Sequence, residues 1–244
     1  MLLFIGIASF GMSLWFLSHL DHRMENDRTK SKLLWYLSHH IIGTAFDLAY
    51  LDVSYNVLDH TDPLTKNIIY ETSLEPHYAI AFGIWCSILA EAFVVTIAPK
   101  PSHISHDIDH HLMIVHHVIT LGLLAISFYL QLKAFGVLIL FLHDISDICV
   151  TATKIAAKFK FSTLLIPSYI SMISTWIYFR LYWFSWELVY TSLWSSFSTF
   201  TFLMQISTGL LTILACFHMW WFILMLRLAG RQDKVHIYEN TNSD

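Results

Sequence analysis

Seven predominantly apolar runs follow one another along the chain and constrain its fold more than any other feature. Each is long enough to cross the hydrocarbon core of a bilayer as an α-helix, which takes about 20 residues. Charged residues make up only 13% of the 244 residues, too few to cover a water-facing surface. The composition therefore excludes a soluble globular enzyme, and the lack of a dense basic block excludes a nucleic-acid-binding protein. We predict an all-α fold, a polytopic membrane bundle of about seven transmembrane helices.

Six of the runs are clear, whereas the seventh is less so because four ionisable residues fall within it. The continuous spans are predicted at Leu2–Ser18, His77–Ala98, Leu112–Leu130, Ala134–Thr151, Leu164–Tyr190 and Phe202–Leu228. The interrupted run, Leu33–Leu58, contains His39, His40, Asp47 and Asp52. We divide the chain into an N-terminal transmembrane helix with a basic loop (1–32), a helical bundle (33–231) and a short polar C-terminal tail (232–244).

Basic residues are distributed unevenly between the two sets of loops that these spans define. With the N-terminus outside, the inner loops hold Arg23, Arg28, Lys30, Lys32, Lys100, Lys154, Lys158, Lys160, Arg227, Arg231 and Lys234. The outer loops hold only Lys66 and Lys133. Cytoplasmic loops of membrane proteins carry such an excess of Lys and Arg. We therefore predict seven crossings, with the C-terminus on the cytoplasmic or matrix side.

Many ionisable side chains fall inside the predicted spans, where each costs about 2.5–3.5 kcal/mol at mid-bilayer. They are His39, His40, Asp47, Glu91, His116, His117, His143, Asp144, Asp147, Arg180, Glu187 and His218. One or two could be satisfied by a neighbouring helix. So many together predict a polar cavity inside the bundle.

Two clusters of these residues lie on adjacent spans. On the first span, helical spacing places five residues on one broad face: Asp109, Met113, His116, His117 and Thr120. On the second, His143, Asp144 and Asp147 point into one sector. A short connection around Gln131–Lys133 predicts an antiparallel hairpin that brings both clusters to a similar depth. This arrangement suits acid–base catalysis, with helix–helix packing as the competing interpretation.

Other polar residues allow more than one interpretation. Arg180, a permanent cation within a span, fits pairing with an aspartate of the cluster or binding of an anionic substrate group. His39, His40 and Asp47 fit either a cavity lining or contacts with lipid headgroups. A further group near the membrane interface fits simple solvation: His103, His106 and His110.

The central motif resembles the Lag motif of ceramide synthases within the TLC superfamily. The matching residues are Asp109, Met113, His116, His117, Thr120, Gly136, His143, Asp144, Asp147 and Lys154. Downstream, Tyr178-Phe179-Arg180 resembles the family's Phe-rich segment, and Ile213–Arg227 resembles its last span. The resemblance covers roughly residues 76–231 and agrees with the seven-span layout.

This resemblance implies an acyl-CoA-dependent N-acyltransferase that moves a fatty acyl group to a sphingoid (long-chain amino) base in the endoplasmic reticulum membrane. The residues it implies as catalytic are His116, His117, Asp144 and Asp147. We assign to substrate binding His143, Arg180, Asp109, Thr120 and His218. Acyl-CoA would be a co-substrate, and neither a separate cofactor nor a metal is expected.

Two other hypotheses remain open. Thr151 stands where ceramide synthases commonly have a glutamate, which fits a non-catalytic, lipid-binding TLC subunit with protein partners in a larger complex, for example in the mitochondrial inner membrane. His106, His110, His111, His116 and His117 also suggest a di-iron hydroxylase. Such sites need about eight histidines in three boxes, and no second box of this kind follows His117.

Overall fold

The computed structural model describes residues 1–24, 27–53, 75–97 and 108–241. For residues 50–53, 75, 92–97, 108–110, 192 and 228–241 the description covers the backbone alone. The helices are α1 (Leu2–Arg23), α2 (Arg28–Val53), α3 (Glu75–Ile97), α4 (Ile108–Tyr129), α5 (Lys133–Lys158), α6 (Ser162–Thr175) and α7 (Phe202–Thr241). A π-helix over Trp176–Trp194 continues α6 without a break, and a 3₁₀ turn at Phe197–Thr199 precedes α7. The predicted all-α bundle is confirmed.

Each helix lies on a predicted span, with differences at the ends. α2 begins before the predicted Leu33 because Asp27 caps it: the Asp27 carboxylate accepts the backbone N–H of Lys30 at 3.2 Å. This hydrogen bond holds the pKa of Asp27 below its usual value. α7 continues as a helix to Thr241, past the predicted end at Leu228 and through most of the predicted polar tail.

Four helical segments of the described residues are long and apolar enough to cross a membrane. They are Leu2–Arg23, His111–Tyr129, Lys133–Lys158 and Phe202–Arg227. Large apolar side chains are also exposed along the outside of α1, α6, the π-helix and α7. Such a surface suits hydrocarbon rather than water. The protein is an integral membrane protein, whereas the number of crossings and their direction remain predictions.

α5 occupies the centre of the bundle. It packs against α2, α4, α6 and the π-helix, while α3 packs on α1 and α7 packs on the π-helix and α4. Its side chains are therefore buried nearly all round, including Phe135, Val137, Leu138, Leu140 and Leu142. A helix that is buried on nearly every side is typical of the interior of a large bundle. The polar residues of α5 are thereby placed between several neighbouring helices.

The α4–α5 connection confirms the predicted antiparallel hairpin. Gln131 adopts a left-handed conformation with φ of 60°, and the backbone N–H of Leu132 donates to the Ser127 carbonyl at 2.8 Å. Tyr78 of α3 ties down the turn, since its hydroxyl donates to the Lys133 carbonyl at 2.8 Å. Its hydroxyl also lies 2.9 Å from Ser127 Oγ. Lys133 is buried at this turn rather than exposed in an outer loop.

Gly136→Ala is expected to lower the free energy of unfolding by about 1–3 kcal/mol, as overpacking does in other cores. A Cβ at Gly136 would collide with the Tyr78 hydroxyl and would lie 2.7 Å from Ser127 Oγ. Gly122→Ala in α4 is the control, because its Cβ would meet nothing within 4 Å. It should be neutral or stabilising by up to about 1 kcal/mol. Equilibrium unfolding in mixed micelles tests this, and equal effects of both changes would contradict it.

Candidate functional site

Arg180 forms the centre of a buried polar network. It is 1% exposed, and its Nη2 lies 2.7 Å from Asp147 Oδ1. Its Nε donates to Ser146 Oγ at 2.6 Å, and its Nη1 donates to His218 Nε2 at 2.8 Å. The guanidinium also lies 4.9 Å from the Trp176 ring. A buried cation needs such a carboxylate partner, and the predicted pairing of Arg180 with an aspartate of the cluster is confirmed.

Three histidines from three helices meet beside this network. His143 lies 4.9 Å from His218 and 6.0 Å from His116, between ring centroids. His116 lies 6.3 Å from His218 and 5.5 Å from its neighbour His117. All four are buried. The hairpin therefore brings the two predicted clusters to the same depth, and α7 adds His218.

Hydrogen bonds indicate which ring nitrogen carries the proton in two of these histidines. His143 Nδ1 lies 2.7 Å from the Ile139 carbonyl and therefore carries a proton, which leaves Nε2 with a free lone pair in the neutral ring. His218 Nε2 accepts from Arg180, so its proton is on Nδ1. Within the described ranges, His143 Nε2 has no hydrogen-bond partner, nor do Nδ1 of His116, His117 and His218. A substrate could occupy these positions.

An apolar slot runs from this histidine cluster toward the α4–α5 turn. It is formed by α4, α5 and α7 and encloses about 560 Å³, the open space at its mouth included. His143 and Thr120 lie at one end, and Leu130 and Leu132 lie at the other. Its apolar lining suits a hydrocarbon chain whose polar end reaches His143.

A second cavity, the polar pocket, lies on another side of α5, between α2 and α3. Its volume is about 480 Å³, the open space at its mouth included, and its polar lining consists of His39, His40, Asp47, His77 and Asp144. His40 Nδ1 lies 2.9 Å from Asp144 Oδ1, and His77 Nε2 lies 2.8 Å from Asp47 Oδ1. The carboxylate of Asp144 reaches α2 because residue 43 is glycine; a Cβ there would collide with Asp144 Oδ2.

The adjacent residues His116 and His117 lie between the two cavities. His116 stacks on His143 at the end of the apolar slot. The His117 ring lies 5.4 Å from Trp85, which forms part of the wall of the polar pocket. One helical segment therefore contacts the walls of both compartments, an arrangement in which groups bound in each could meet.

The predicted sector of α5 meets two neighbouring helices. Asp144 binds His40 of α2, and Asp147 binds Arg180 of the π-helix. Because α5 is surrounded by other helices, residues that share one face can have partners on different neighbours. Thr120 lines the slot, and its hydroxyl donates to the His116 carbonyl at 2.9 Å.

The side chains of some predicted site residues are not among those that the structure describes, and some residues of the site were not predicted. The side chain of Asp109 is not among the described ones, nor are His103, His106 and His110. Among the side chains that are described, no three His, Cys, Asp or Glu are placed to hold a metal ion. Sequence reasoning missed His77, Trp85, Ser146 and Trp176. A signal existed for His77, a titratable residue at the start of a predicted span.

Comparison with known proteins identifies the family. The family profile described as TLC domain matches residues 2–227. The chain belongs to the TLC domain family. The profile covers α1 to α6, the π-helix and α7 as far as Arg227, so the slot, the polar pocket and the Arg180 network all lie within the TLC domain.

The relatives of this TLC domain include ceramide synthases. Human (Homo sapiens) ceramide synthase 1 is 31% identical over 148 residues, which are 54% of this chain and 41% of that protein. Human ceramide synthase 5 is 31% identical over 134 residues, 50% of this chain and 31% of that protein. The sphingosine N-acyltransferase-like protein FUM17 of Gibberella moniliformis is 29% identical over 149 residues, 56% of this chain and 38% of that protein. The chain thus matches less than half the length of these relatives and is a ceramide-synthase-like TLC protein.

Proposed function

We propose that this TLC domain is an acyl-CoA-dependent N-acyltransferase that moves a fatty acyl group to a sphingoid base. The position of His116 and His117 between an apolar slot and a polar pocket carries this proposal. One compartment suits an acyl chain, and the other suits a polar headgroup. The similarity to ceramide synthases supports the same reaction class.

The reaction requires a base at the junction of the two compartments. The amine nitrogen attacks the thioester carbonyl carbon, a C–N bond forms, the C–S bond breaks and sulfur leaves as thiolate. The amide retains one N–H, and an imidazole of the His116–His117 pair takes the other proton and passes it to the thiolate. The free lone pair of His143 Nε2 is a second acceptor at the end of the slot. Acyl-CoA is the co-substrate, and no further cofactor takes part in these steps.

The direction of the slot agrees with delivery of acyl-CoA from the basic side of the membrane. The slot leads from His143 toward Leu132 at the α4–α5 turn, a rise of about 16 Å at 1.5 Å per residue. In the predicted topology this turn lies on the outer side. An acyl tail in the slot would therefore place its thioester toward the inner loops, where Lys and Arg are concentrated.

Arg180 acts in this proposal as a positioning residue. Its guanidinium already binds Asp147, Ser146 and His218. It therefore holds the histidine cluster in place instead of binding an anionic substrate group. Asp144, held by His40, faces the polar pocket, and Asp147 compensates the buried cation.

A non-catalytic lipid-binding subunit is the second candidate, and one observation favours it. Neither His116 nor His117 is among the described residues that line the slot or the polar pocket. A lipid could occupy the slot without any reaction. The N-acyltransferase would belong in the endoplasmic reticulum, and a subunit with protein partners would fit the mitochondrial inner membrane.

The two candidates differ in turnover. The purified full chain, given palmitoyl-CoA and sphinganine, is expected to release free CoA and form the N-acyl product in equal amounts. Mass spectrometry and a thiol assay measure these. Absence of product across a range of acyl-chain lengths, from protein that still binds a fatty acyl lipid, would exclude the transferase and favour the subunit.

Ser207→Phe is expected to shift acyl-chain preference toward shorter chains. Ser207 lines the slot from an early turn of α7, on the side away from His218, so the added ring would fill the distal part of the slot. The measurement is the ratio of products from long and short acyl-CoA, which should fall at least tenfold, about 1.4 kcal/mol. Ile206→Phe is the control, because Ile206 is exposed and lies outside the slot lining. An unchanged ratio in Ser207→Phe would show that the slot does not hold the acyl chain.

A further inference from the structure

The polar pocket contains an incomplete carboxylate site. Asp47 is 1% exposed, and its Oδ1 accepts from His77 Nε2 at 2.8 Å. Its Oδ2 is buried and has no hydrogen-bond partner among the described residues. A carboxylate oxygen buried without a donor is costly, because it has lost water and gained nothing in exchange. A ligand that donates to Asp47 Oδ2 would complete this site.

The charges in the pocket favour a cation. The lining includes two carboxylates, those of Asp47 and Asp144, and neither Lys nor Arg is among the described lining residues. These carboxylates bind His77 and His40, so the pocket carries a net negative charge when the imidazoles are neutral. Trp85 adds an aromatic wall, which also favours a cation. A primary ammonium offers three N–H donors and a positive charge, so it can bind Asp47 Oδ2 and donate to a further acceptor.

The position of the pocket favours a ligand that is dissolved in the membrane. Two α2 residues of its lining, Ile42 and Phe46, are 51% and 47% exposed. α2 packs mainly on α5, and α3 packs mainly on α1. The seam between α2 and α3 therefore gives the pocket a side that faces lipid. The remaining wall is apolar and includes Ile80, Ile84 and Ile88.

We propose that the polar pocket binds the ammonium headgroup of the long-chain amino base, with Asp47 as its carboxylate partner and the α2–α3 seam as its opening to the bilayer. This inference rests on the proposed function and names the site of its second substrate. His77 holds Asp47 in place through the bond to Oδ1. The contact of Trp85 with His117 links the pocket to the proposed proton acceptor. Before attack the bound ammonium gives one proton to Asp47 Oδ2, which has no other hydrogen-bond partner among the described residues, so that the neutral amine enters the reaction. This proton is released to water after turnover.

The test measures binding of tritiated sphinganine to the full chain in phosphatidylcholine nanodiscs, without acyl-CoA. Asp47→Asn keeps the shape of the side chain but removes its charge, and should weaken sphinganine binding about 10- to 100-fold. Asp27→Asn, at a partly exposed helix cap outside the pocket, is the matched control and should bind like the wild type. In the transferase assay, Asp47→Asn should raise KM for the base and leave KM for acyl-CoA unchanged.

Analogues of sphinganine test the same proposal on the wild-type protein, so the test does not depend on whether Asp47→Asn folds. A long-chain diol without the amine, and the uncharged N-acetylsphinganine, should each compete at least tenfold more weakly than sphinganine. Equal competition by either would overturn the proposal, as would tight sphinganine binding by a folded Asp47→Asn. Nanodiscs that contain phosphatidylethanolamine identify the source of the amine: if this lipid displaces sphinganine, a lipid headgroup occupies the pocket instead of the base.

These results separate the inference from the proposed function. If sphinganine binding depends on the charge of Asp47 but no N-acyl product forms, the proposed amine site is supported and the proposed transferase activity is contradicted. If Asp47→Asn forms the N-acyl product with an unchanged KM for the base, the proposed transferase activity is supported and the proposed amine site is contradicted.

Discussion

His116→Ala is expected to lower the rate of CoA release from palmitoyl-CoA and sphinganine by roughly 10²- to 10⁴-fold, the usual contribution of general acid–base catalysis. His116 is buried, stacks on His143 at the end of the slot, and has no partner for Nδ1 among the described residues. Alanine removes the imidazole and leaves the walls of both compartments unchanged. The measurement is single-turnover release of CoA by the purified protein.

His19→Ala is the matched control for this change. His19 is an exposed residue of α1 that stacks on Trp15 at 5.6 Å, and it does not line the slot or the polar pocket. Its loss should leave the rate unchanged. If His116→Ala elutes from a size-exclusion column as the wild type does and retains more than about a tenth of the rate of CoA release, His116 does not take part in the proton transfer.

Arg180→Met is expected to lower the free energy of unfolding by about 3–5 kcal/mol, because it removes the buried member of the ion pair and leaves the Asp147 carboxylate without its cation inside a membrane span. The same change removes the donors to Ser146 Oγ and His218 Nε2. Equilibrium unfolding in mixed micelles measures the loss. Lys30→Met is the control: Lys30 pairs with Asp27 at 3.3 Å on the surface, and such pairs contribute less than about 1 kcal/mol.

A second variant shows whether the lost stability comes from the broken ion pair or from changed packing. Replacing both residues, Arg180→Met with Asp147→Leu, removes the charge along with its partner and should recover much of the lost stability. The double-mutant cycle gives the coupling between the two residues. If Arg180→Met were no more destabilising than Lys30→Met, the buried network would not be what holds the π-helix against α5.

Local sequence patterns predicted the parts of the site that one hairpin forms. The spacing of His116, His143 and Asp147, with a short connection between their helices, was sufficient to place them together. The pairing of Arg180 with an aspartate was predictable because a permanent cation in a membrane span needs a partner. The length of the apolar runs predicted the spans, and the low content of charged residues predicted a membrane bundle.

The polar pocket could not be predicted in the same way. Its residues come from α2, α3 and α5, whose contacts depend on how distant helices pack. Periodicity describes which face of a helix a residue occupies but not which neighbour meets that face. The sequence therefore left His40 and Asp47 between two interpretations, overlooked His77, and did not identify His40 as the partner of Asp144.

The Arg180–Asp147 bond also sets an order for biogenesis. Asp147 belongs to α5, whereas its cation belongs to the π-helix, which leaves the ribosome later. Until the later segment inserts, Asp147 lacks the guanidinium that binds it in the folded protein, and an ionisable group without its partner is costly inside a membrane span. Quality control of this protein in the cell should therefore respond most strongly to truncations that end between α5 and Arg180.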